Sequence, residues 1–453
     1  MQQPMAWEEM SEDQVLDFAG ACADTAWRAE VDLLRAAFQW SVLHSADRLD
    51  PGWAGVSGRE RARQLGGPGV PEVTEFAAAE LGARIGRSPY AAARLIADAQ
   101  DLWFRHPQLW ARVQAGEVRA SYARLVVAKT RDLQPEEAAY VDACVVESAD
   151  GRIPWSRFET LVEAKVAQAA PALAREKEEQ AAKATFAKKL RGGANGMGSY
   201  LVHADLATID AIDAAVTARS ALVTEVPGIE QPTEDQRRVH AFLLMVTGAA
   251  DDTDVADLLP RVTVFVHTYA GPDAEDIVRV EGHGPVTTDW VRQTLGPKAR
   301  FTIRPVLDLA GQAPVDAWEI PDRHRRAVHL MTPADIFPYA SCTSRSMELD
   351  HTTPHAQGGI SGIGNYGPMT KRHHRVKTHG RWQVQQPFPG IFVWRDPHGA
   401  FYLVDHTGTR RIPGTPQTTQ QPEGPPRQPR PLVLELWHAP FGIEIDPDYP
   451  RVA

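Results

Sequence analysis

Apolar residues recur at three- and four-residue spacing through most of the first 250 residues, which is the spacing of one face of an α-helix. Val31, Leu34 and Phe38 share one such stripe. Alanine, leucine, arginine and glutamate dominate this part of the chain, and they favour helix. The pattern therefore predicts an α-rich N-terminal part.

The segment Gly86–Pro89 marks the change from one predicted helix to the next. Ser88 is suited to cap a helix N-terminus, and Pro89 is suited to the first turn, where its missing N–H costs nothing. Two stretches, Glu72–Ile85 and Pro89–Trp103, are expected to form a helical hairpin. Most such hairpins pack within a domain, and fewer read DNA.

Charge changes sign between Arg175 and Arg191, where glutamates come early and lysines come late. This order suits the dipole of a single helix, so the stretch is interpreted as a solvated helix face. The glycine-rich segment Gly192–Gly196 ends it.

Short β-branched runs begin after residue 260 and indicate strands. A helix is predicted at Thr287–Leu295. Strands are predicted at Arg261–His267, Asp276–Glu281, Arg300–Leu307 and Asp316–Ile320. Ten prolines between Pro413 and Pro450 predict a linker-like tail after residue 410.

Composition indicates a globular chain of two or three domains, since 453 residues exceed one ordinary core. No run of eighteen apolar residues occurs, and the N-terminus is polar and acidic, so neither a membrane span nor a secretory signal is expected. Cys22, Cys144 and Cys342 lie too far apart to form a disulfide framework or a zinc knuckle. A cytoplasmic setting fits best.

The net charge of −10 argues against DNA binding by the whole surface. The stretch Lys371–Arg381 differs from the rest, because it carries five Lys or Arg residues and no Asp or Glu. It follows that positive potential is expected at one place on an acidic protein.

Residues 350 to 374 concentrate the chemistry, and nine of the sixteen histidines fall between His324 and His406. A carboxylate and a histidine are adjacent at Asp350 and His351, and Asn365 follows across a glycine-rich loop. The pair His373-His374 comes next, in the basic stretch. Phosphodiester hydrolysis needs an activated water and a cation at the phosphate, and these residue types can supply both.

Each residue can be given a role. Asp350 lies in a predicted strand at Met347–His351 and is a hard oxygen ligand for Mg²⁺ or Mn²⁺. His351 is the candidate general base, and Asn365 is expected to hold its ring through its side-chain or backbone carbonyl. His374 is the candidate imidazole ligand on the following helix. The residues expected to contact the DNA backbone are Lys371, Arg372, Arg375 and Lys377.

The arrangement resembles the HNH (ββα-metal) nuclease motif, and the whole chain resembles the actinobacterial HNH proteins of the DUF222, or 13E12-repeat, group. The likeness is carried by Leu349–Pro354, Gly364–Pro368, His373–Gly380, Trp382 and Pro389–Trp394. The resemblance implies that Asp350 and His374 bind the metal, that His351 is the base and that Asn365 positions it.

The expected fold is α+β. A large α-rich domain with a small β element precedes a small C-terminal ββα-metal domain. The boundaries are a tail at 1–19, the DUF222-like domain at 20–310, the HNH domain at 322–410 and the Pro-rich tail at 411–453.

A structural zinc is not expected, because Cys342 stands alone where many HNH domains have paired cysteines. Packing must hold the C-terminal core instead. The aromatic residues expected there are Phe337, Tyr339, Trp382, Phe392, Trp394 and Tyr402. His373 is interpreted as a neighbour with a packing or phosphate role, and His379 is a weaker candidate metal ligand.

The leading hypothesis is a Mg²⁺- or Mn²⁺-dependent DNA endonuclease. The first alternative is a DNA-binding or regulatory protein that retains a catalytically idle HNH fold. The second is a metal-binding scaffold without a nucleic-acid role, against which the basic stretch Lys371–Arg381 speaks.

Overall fold

The computed structural model describes residues 10–53, 56, 58–190, 197–249, 266–267, 277–280, 284–295, 313–315 and 319–412. Within these ranges the chain mixes helix and strand, and its N-terminal part is helical, as predicted. None of the helices in these ranges is both long and apolar enough to cross a membrane.

The chain divides into two compact units. One comprises Met1–Ala170 together with Val306–Ala453, and the other comprises Pro171–Pro305. The first unit therefore joins the two ends of the sequence, whereas the family resemblance had suggested boundaries near residues 310 and 322. The predicted family identity of each segment stays a prediction.

Helices form the N-terminal part of the first unit: α1 (Glu12–Leu43), α2 (Ala77–Arg84), α3 (Pro89–Arg105), α4 (Pro107–Gln114), α5 (Ala120–Thr130), α6 (Pro135–Val145) and α7 (Trp155–Ala169). A two-stranded ladder, β1 (Ala62–Arg63) with β2 (Val73–Thr74), lies between α1 and α2. The predicted start of α3 is confirmed, because the Ser88 hydroxyl accepts the Ala91 N–H at 3.2 Å and Pro89 follows it. Leu95, Ile96 and Leu102 of α3 are buried in the bundle.

The second unit, described by itself, contains α8 (Pro171–Lys183), β3 (Phe186–Lys189), β4 (Tyr200–His203), α9 (Leu206–Ser220), α10 (Glu234–Thr247), β5 (Val266–His267), β6 (Ile277–Val280), β7 (Gly284–Thr287) and α11 (Thr288–Leu295). The prediction of one helix as far as Arg191 is wrong, because Lys188 and Lys189 lie in β3. There Phe186 pairs with His203 of β4, and their rings stack at 5.3 Å, a cross-strand contact that the local charge pattern does not encode.

The predicted β element between residues 261 and 295 is present in part. Strands β5, β6 and β7 form an antiparallel sheet, and α11 follows β7 directly. The predicted strands at Arg300–Leu307 and at 316–318, most of Arg261–His267, and the tail from residue 413 lie outside the described residues.

The C-terminal part of the first unit contains α12 (Asp322–Met331), β8 (Glu348–His351), β9 (Tyr366–Met369), α13 (Lys371–His379), β10 (Gln383–Phe388), β11 (Ile391–Arg395), β12 (Phe401–Asp405) and β13 (Gly408–Ile412). Strands β8 and β9 pair with each other, and β10 to β13 form an antiparallel meander. The expected aromatic core is confirmed: Phe337, Trp382, Phe392, Trp394 and Tyr402 are buried together, and Tyr339 packs against them.

Helix α2 completes this C-terminal core although it lies some 250 residues earlier in the sequence. Phe76, at its N-cap, and Ala79 and Ala83 belong to the same buried cluster as the C-terminal aromatic residues. An ion pair adds to the apolar contact, with Arg84 Nη2 lying 2.9 Å from Asp396 Oδ2. The ββ pair and α13 are thus supported from the N-terminal helices.

Candidate active site

The candidate site lies on the strand pair β8–β9 and the helix α13 that follows it. Asp350 pairs with Gly367, and His351 pairs with Tyr366. Because successive residues of a strand point to opposite faces, Asp350 and His351 point to different sides. The His351 ring packs edge-on against Tyr366 at 5.0 Å.

Asp350 and His374 approach each other on the side of β8 to which Asp350 points. Asp350 Oδ1 lies 3.4 Å from His374 Nε2, and the other ring nitrogen, Nδ1, lies 3.0 Å from Glu348 Oε2. A proton on Nδ1 that is donated to Glu348 leaves the lone pair of Nε2 facing the Asp350 carboxylate.

This donor set fits a divalent cation. Two acceptor atoms that bind one ion side by side, each at about 2.1 Å, lie roughly 3 Å apart, close to the observed separation. A carboxylate that accepts the second N–H of a ligating histidine is also the usual support of a metal-bound imidazole. Within the described residues, no three His, Cys, Asp or Glu side chains group closely enough to form a metal site by themselves.

Lys377 lies against the same carboxylate. Its ammonium is 2.6 Å from Asp350 Oδ2, it also donates to the carbonyl oxygen of His351, and its side chain is 11% exposed. The sequence had suggested that Lys377 contacts the DNA backbone. In the structure it is oriented inward, so that one oxygen of Asp350 is paired with an ammonium and the other faces His374.

His351 is buried and has a defined hydrogen-bond partner. Its Nε2 lies 2.8 Å from the hydroxyl of Ser361, which is itself buried. Burial lowers the pKa of His351 below its ordinary value, and the charges of His355 and Lys377 add to this effect while Asp350 opposes it. A neutral ring that donates Nε2–H to Ser361 leaves Nδ1 to accept a proton.

Asn365 holds the loop rather than the imidazole. Its Oδ1 accepts from the hydroxyl of Thr352 and the N–H of Thr353, each at 2.7 Å. Its Nδ2 donates to the carbonyls of Thr353 at 3.0 Å and Ile360 at 2.9 Å. An asparagine amide has two donor and two acceptor positions, and these four bonds use them all. The expectation that its side-chain carbonyl holds His351 is therefore wrong, and Ser361 is the partner of ring atom Nε2. The backbone carbonyl of Asn365, the other predicted route, accepts the N–H of Thr352 at 3.0 Å.

The basic residues of α13 fall into two groups. Lys371 and Arg372 are exposed. Arg375 is bound at both ends of its guanidinium to Glu75, at 2.9 and 2.8 Å, and Glu75 precedes α2. Lys377 is oriented inward as well. Lys371 and Arg372 are therefore the Lys and Arg residues of α13 that are exposed to solvent.

The two neighbouring histidines have different surroundings. His373 stacks on Phe337 at 4.6 Å, and its Nδ1 lies 2.7 Å from the buried carboxylate of Asp335, which matches the packing role expected for it. His379 lies beside Gly58, since a side chain added at Gly58 would come within 2.6 Å of its Nε2. Burial and the charge of Arg59 lower the pKa of His379.

Sequence reasoning missed Glu348 and Ser361. Glu348 could have been found, because it lies two residues before Asp350 on one strand and so shares its face. Ser361 lies in the glycine-rich loop, where no periodicity predicts which side chain points inward.

Comparison of the chain with protein-family models, with curated proteins and with solved structures found no match.

Proposed function

We propose that the chain is a metal-dependent endonuclease of the HNH (ββα-metal) type that hydrolyses phosphodiester bonds in DNA. The observation that carries the proposal is the buried His351, whose pKa burial lowers, next in sequence to Asp350, whose second carboxylate oxygen faces the imidazole of His374. The order of elements, β8, β9 and α13, agrees with that type of site.

In this proposal Asp350 and His374 bind Mg²⁺ or Mn²⁺, and waters and phosphate oxygens complete the shell, as is common for Mg²⁺. The ion would supply Lewis-acid stabilisation of the phosphate and of the leaving 3′ oxygen. His351 Nδ1 accepts the proton of the attacking water, and Ser361 keeps the ring in the tautomer that allows this. Asn365 keeps the loop that carries Ser361 closed over the ring.

The test is cleavage of supercoiled plasmid in Mg²⁺, Mn²⁺, Zn²⁺ or EDTA by the parent, by His351→Ala and by His406→Ala. His406 is an exposed histidine in the turn between β12 and β13 and serves as the matched control. We expect metal-dependent nicking by the parent and the control, and a loss of about 100-fold or more in His351→Ala. Equal cleavage by His351→Ala would rule out its role as base.

One observation favours the second candidate, a DNA-binding protein with an idle HNH fold. The Lys377 ammonium already neutralises Asp350 at 2.6 Å, so the carboxylate is paired without any metal ion. Titration with Mn²⁺ separates the two functions. Binding of DNA with neither Mn²⁺ binding nor cleavage would favour the idle fold, whereas Mn²⁺ binding that is lost in Asp350→Asn favours the nuclease.

A further inference from the structure

Helix α12 has one buried face and one strongly basic face. His324, Ala327 and Val328 are buried at the spacing of one helix face, and His329, one turn after Arg325, is buried as well. Arg323, Arg325 and Arg326 occupy the remaining positions and are exposed, together with Asp322 at the helix start. The helix therefore presents three guanidinium groups outward within one turn.

The buried face of α12 packs on β9, the strand that pairs with β8, which carries Asp350 and His351. Ala327 and Val328 belong to one cluster with Ile363 and Tyr366, and the His324 ring lies 5.8 Å from the ring of Tyr366. Tyr366 is also the cross-strand neighbour of His351. A single aromatic ring thus lies between α12 and the proposed base.

Arg345, in the segment just before β8, adds to this basic face. Burial lowers the pKa of His329, and the charges of Arg345 and Arg325 lower it further, so both guanidinium groups act on the same imidazole. Burial raises the pKa of Tyr366, and the charge of Arg323 opposes that rise. The exposed arginines of α12 therefore lie on the helix that packs against Tyr366, the cross-strand neighbour of His351.

We propose that Arg323, Arg325, Arg326 and Arg345, here called the arginine face, bind the phosphate backbone of duplex DNA beside the candidate site. This inference rests on the proposed function and deepens it, because it assigns the substrate contact to α12 as well as to α13. A polyanion fits this surface, and guanidinium groups bind phosphate with defined geometry. Arg375 and Lys377 of α13 are engaged by Glu75 and Asp350, which leaves fewer cations of α13 to contact DNA.

The test measures binding of a short labelled duplex to the full chain in EDTA, over a range of salt concentrations, so that cleavage plays no part. The variant is the double substitution Arg325→Ala with Arg326→Ala. Its matched control is Arg28→Ala with Arg157→Ala, two exposed arginines on α1 and α7 that remove the same charge. Each phosphate contact contributes about 0.9 to the slope of log affinity against log salt, so we expect the slope to fall by roughly 1.8 in the variant and to stay unchanged in the control.

Each outcome decides for or against the arginine face. A reduced slope in the variant alone supports it, even when the parent cleaves no DNA, in which case the nuclease fails and the binding surface stands. Equal slopes in variant and parent overturn it, even when the parent cleaves plasmid. Failure of the parent to bind duplex DNA, or binding of single strands only, also overturns it. Thermal unfolding of the variant, compared with the parent, shows that a changed slope is not a folding defect.

Discussion

At the scale of single residues, the loop between β8 and β9 depends on Gly359. A side chain added there would bring its Cβ within 2.0 Å of the Thr353 carbonyl oxygen and 2.8 Å of Asn365 Nδ2. The Thr353 carbonyl and the Asn365 amide are two of the groups whose hydrogen bonds close the loop that carries Ser361. Gly364 lies in the same loop, and a side chain added there would meet nothing within 4 Å.

Gly359→Ala is therefore expected to destabilise the fold by about 1–3 kcal/mol and to reduce plasmid nicking, because the loop must move away from Asn365. Gly364→Ala is the matched control and is expected to change neither. Urea unfolding and the nicking assay measure the two effects. Parent-like values in Gly359→Ala would show that the loop accommodates the methyl group, contrary to the expectation.

Glu348 is the second residue on which the site depends. In the proposed metal site its carboxylate holds His374 through Nδ1 at 3.0 Å, so that Nε2 faces the ion. Glu348→Gln keeps the shape and removes the charge, and loss of such a partner weakens metal affinity by about 10–100-fold. Calorimetric titration with Mn²⁺ tests this, with the exposed Glu136→Gln as control. Unchanged affinity would leave Glu348 with no role in orienting His374.

At the scale of elements, predictions succeeded where the signal is local. Ser88 and Pro89 mark the start of α3 because a cap is formed by residues within one turn. Strand β3 was missed because its hydrogen-bonding partner, β4, lies further along the chain. Pairing with β4 outweighs the preference of the lysine residues for helix. The role of Asn365 was misjudged for a similar reason, since its partners Thr352, Thr353 and Ile360 are set by how the loop closes. Only the structure reveals that closure.

The contact of α2 with the C-terminal meander contains a carboxylate between two imidazoles. Glu80 Oε2 lies 2.9 Å from His398 Nε2 and 3.7 Å from His44 Nε2. The hydrogen bond that His398 donates to Glu80 raises the pKa of His398 above its ordinary value of 6.5. Burial by itself would raise the pKa of Glu80, but the hydrogen bond from His398 and the nearby His44 imidazole outweigh it and lower this pKa below 4.5.

The sign of the resulting pH dependence follows from these directions. The contribution of His398 to the free energy of unfolding is complete below pH 6.5 and is lost as the pH rises through its raised pKa. The contribution of Glu80 is lost as the pH falls through its lowered pKa. The contact is therefore expected to stabilise the fold most between about pH 4.5 and 6.5. His398→Asn should flatten the decline in the free energy of unfolding above pH 6.5, and His406→Ala should not. An unchanged profile in His398→Asn would contradict this role.

At the scale of the whole molecule, the first unit is built from both ends of the chain. The resemblance to the DUF222 group divided the chain near residue 310. The sequence pattern could not show that Phe76, Ala79 and Ala83 share a core with Trp382 and Trp394, since periodicity carries no information about which faces meet. The site depends on this core, because α13 contributes Val376 to it.

This shared core predicts that the first unit survives a cut in the second. A protease site inserted at Gly248, the left-handed residue that ends α10, would leave residues 10–170 and 319–412 on separate polypeptides. The two fragments are expected to co-elute in gel filtration without denaturant, because the apolar cluster and the Arg84–Asp396 ion pair hold them together.

Phe76→Ala removes a side chain that is 2% exposed and should cost about 3–5 kcal/mol, so that the cut chain separates at lower urea concentration. Phe104→Ala, at a residue that is 44% exposed, should separate like the parent. Separation of the parent fragments in buffer alone would mean that the C-terminal part keeps its fold without α2.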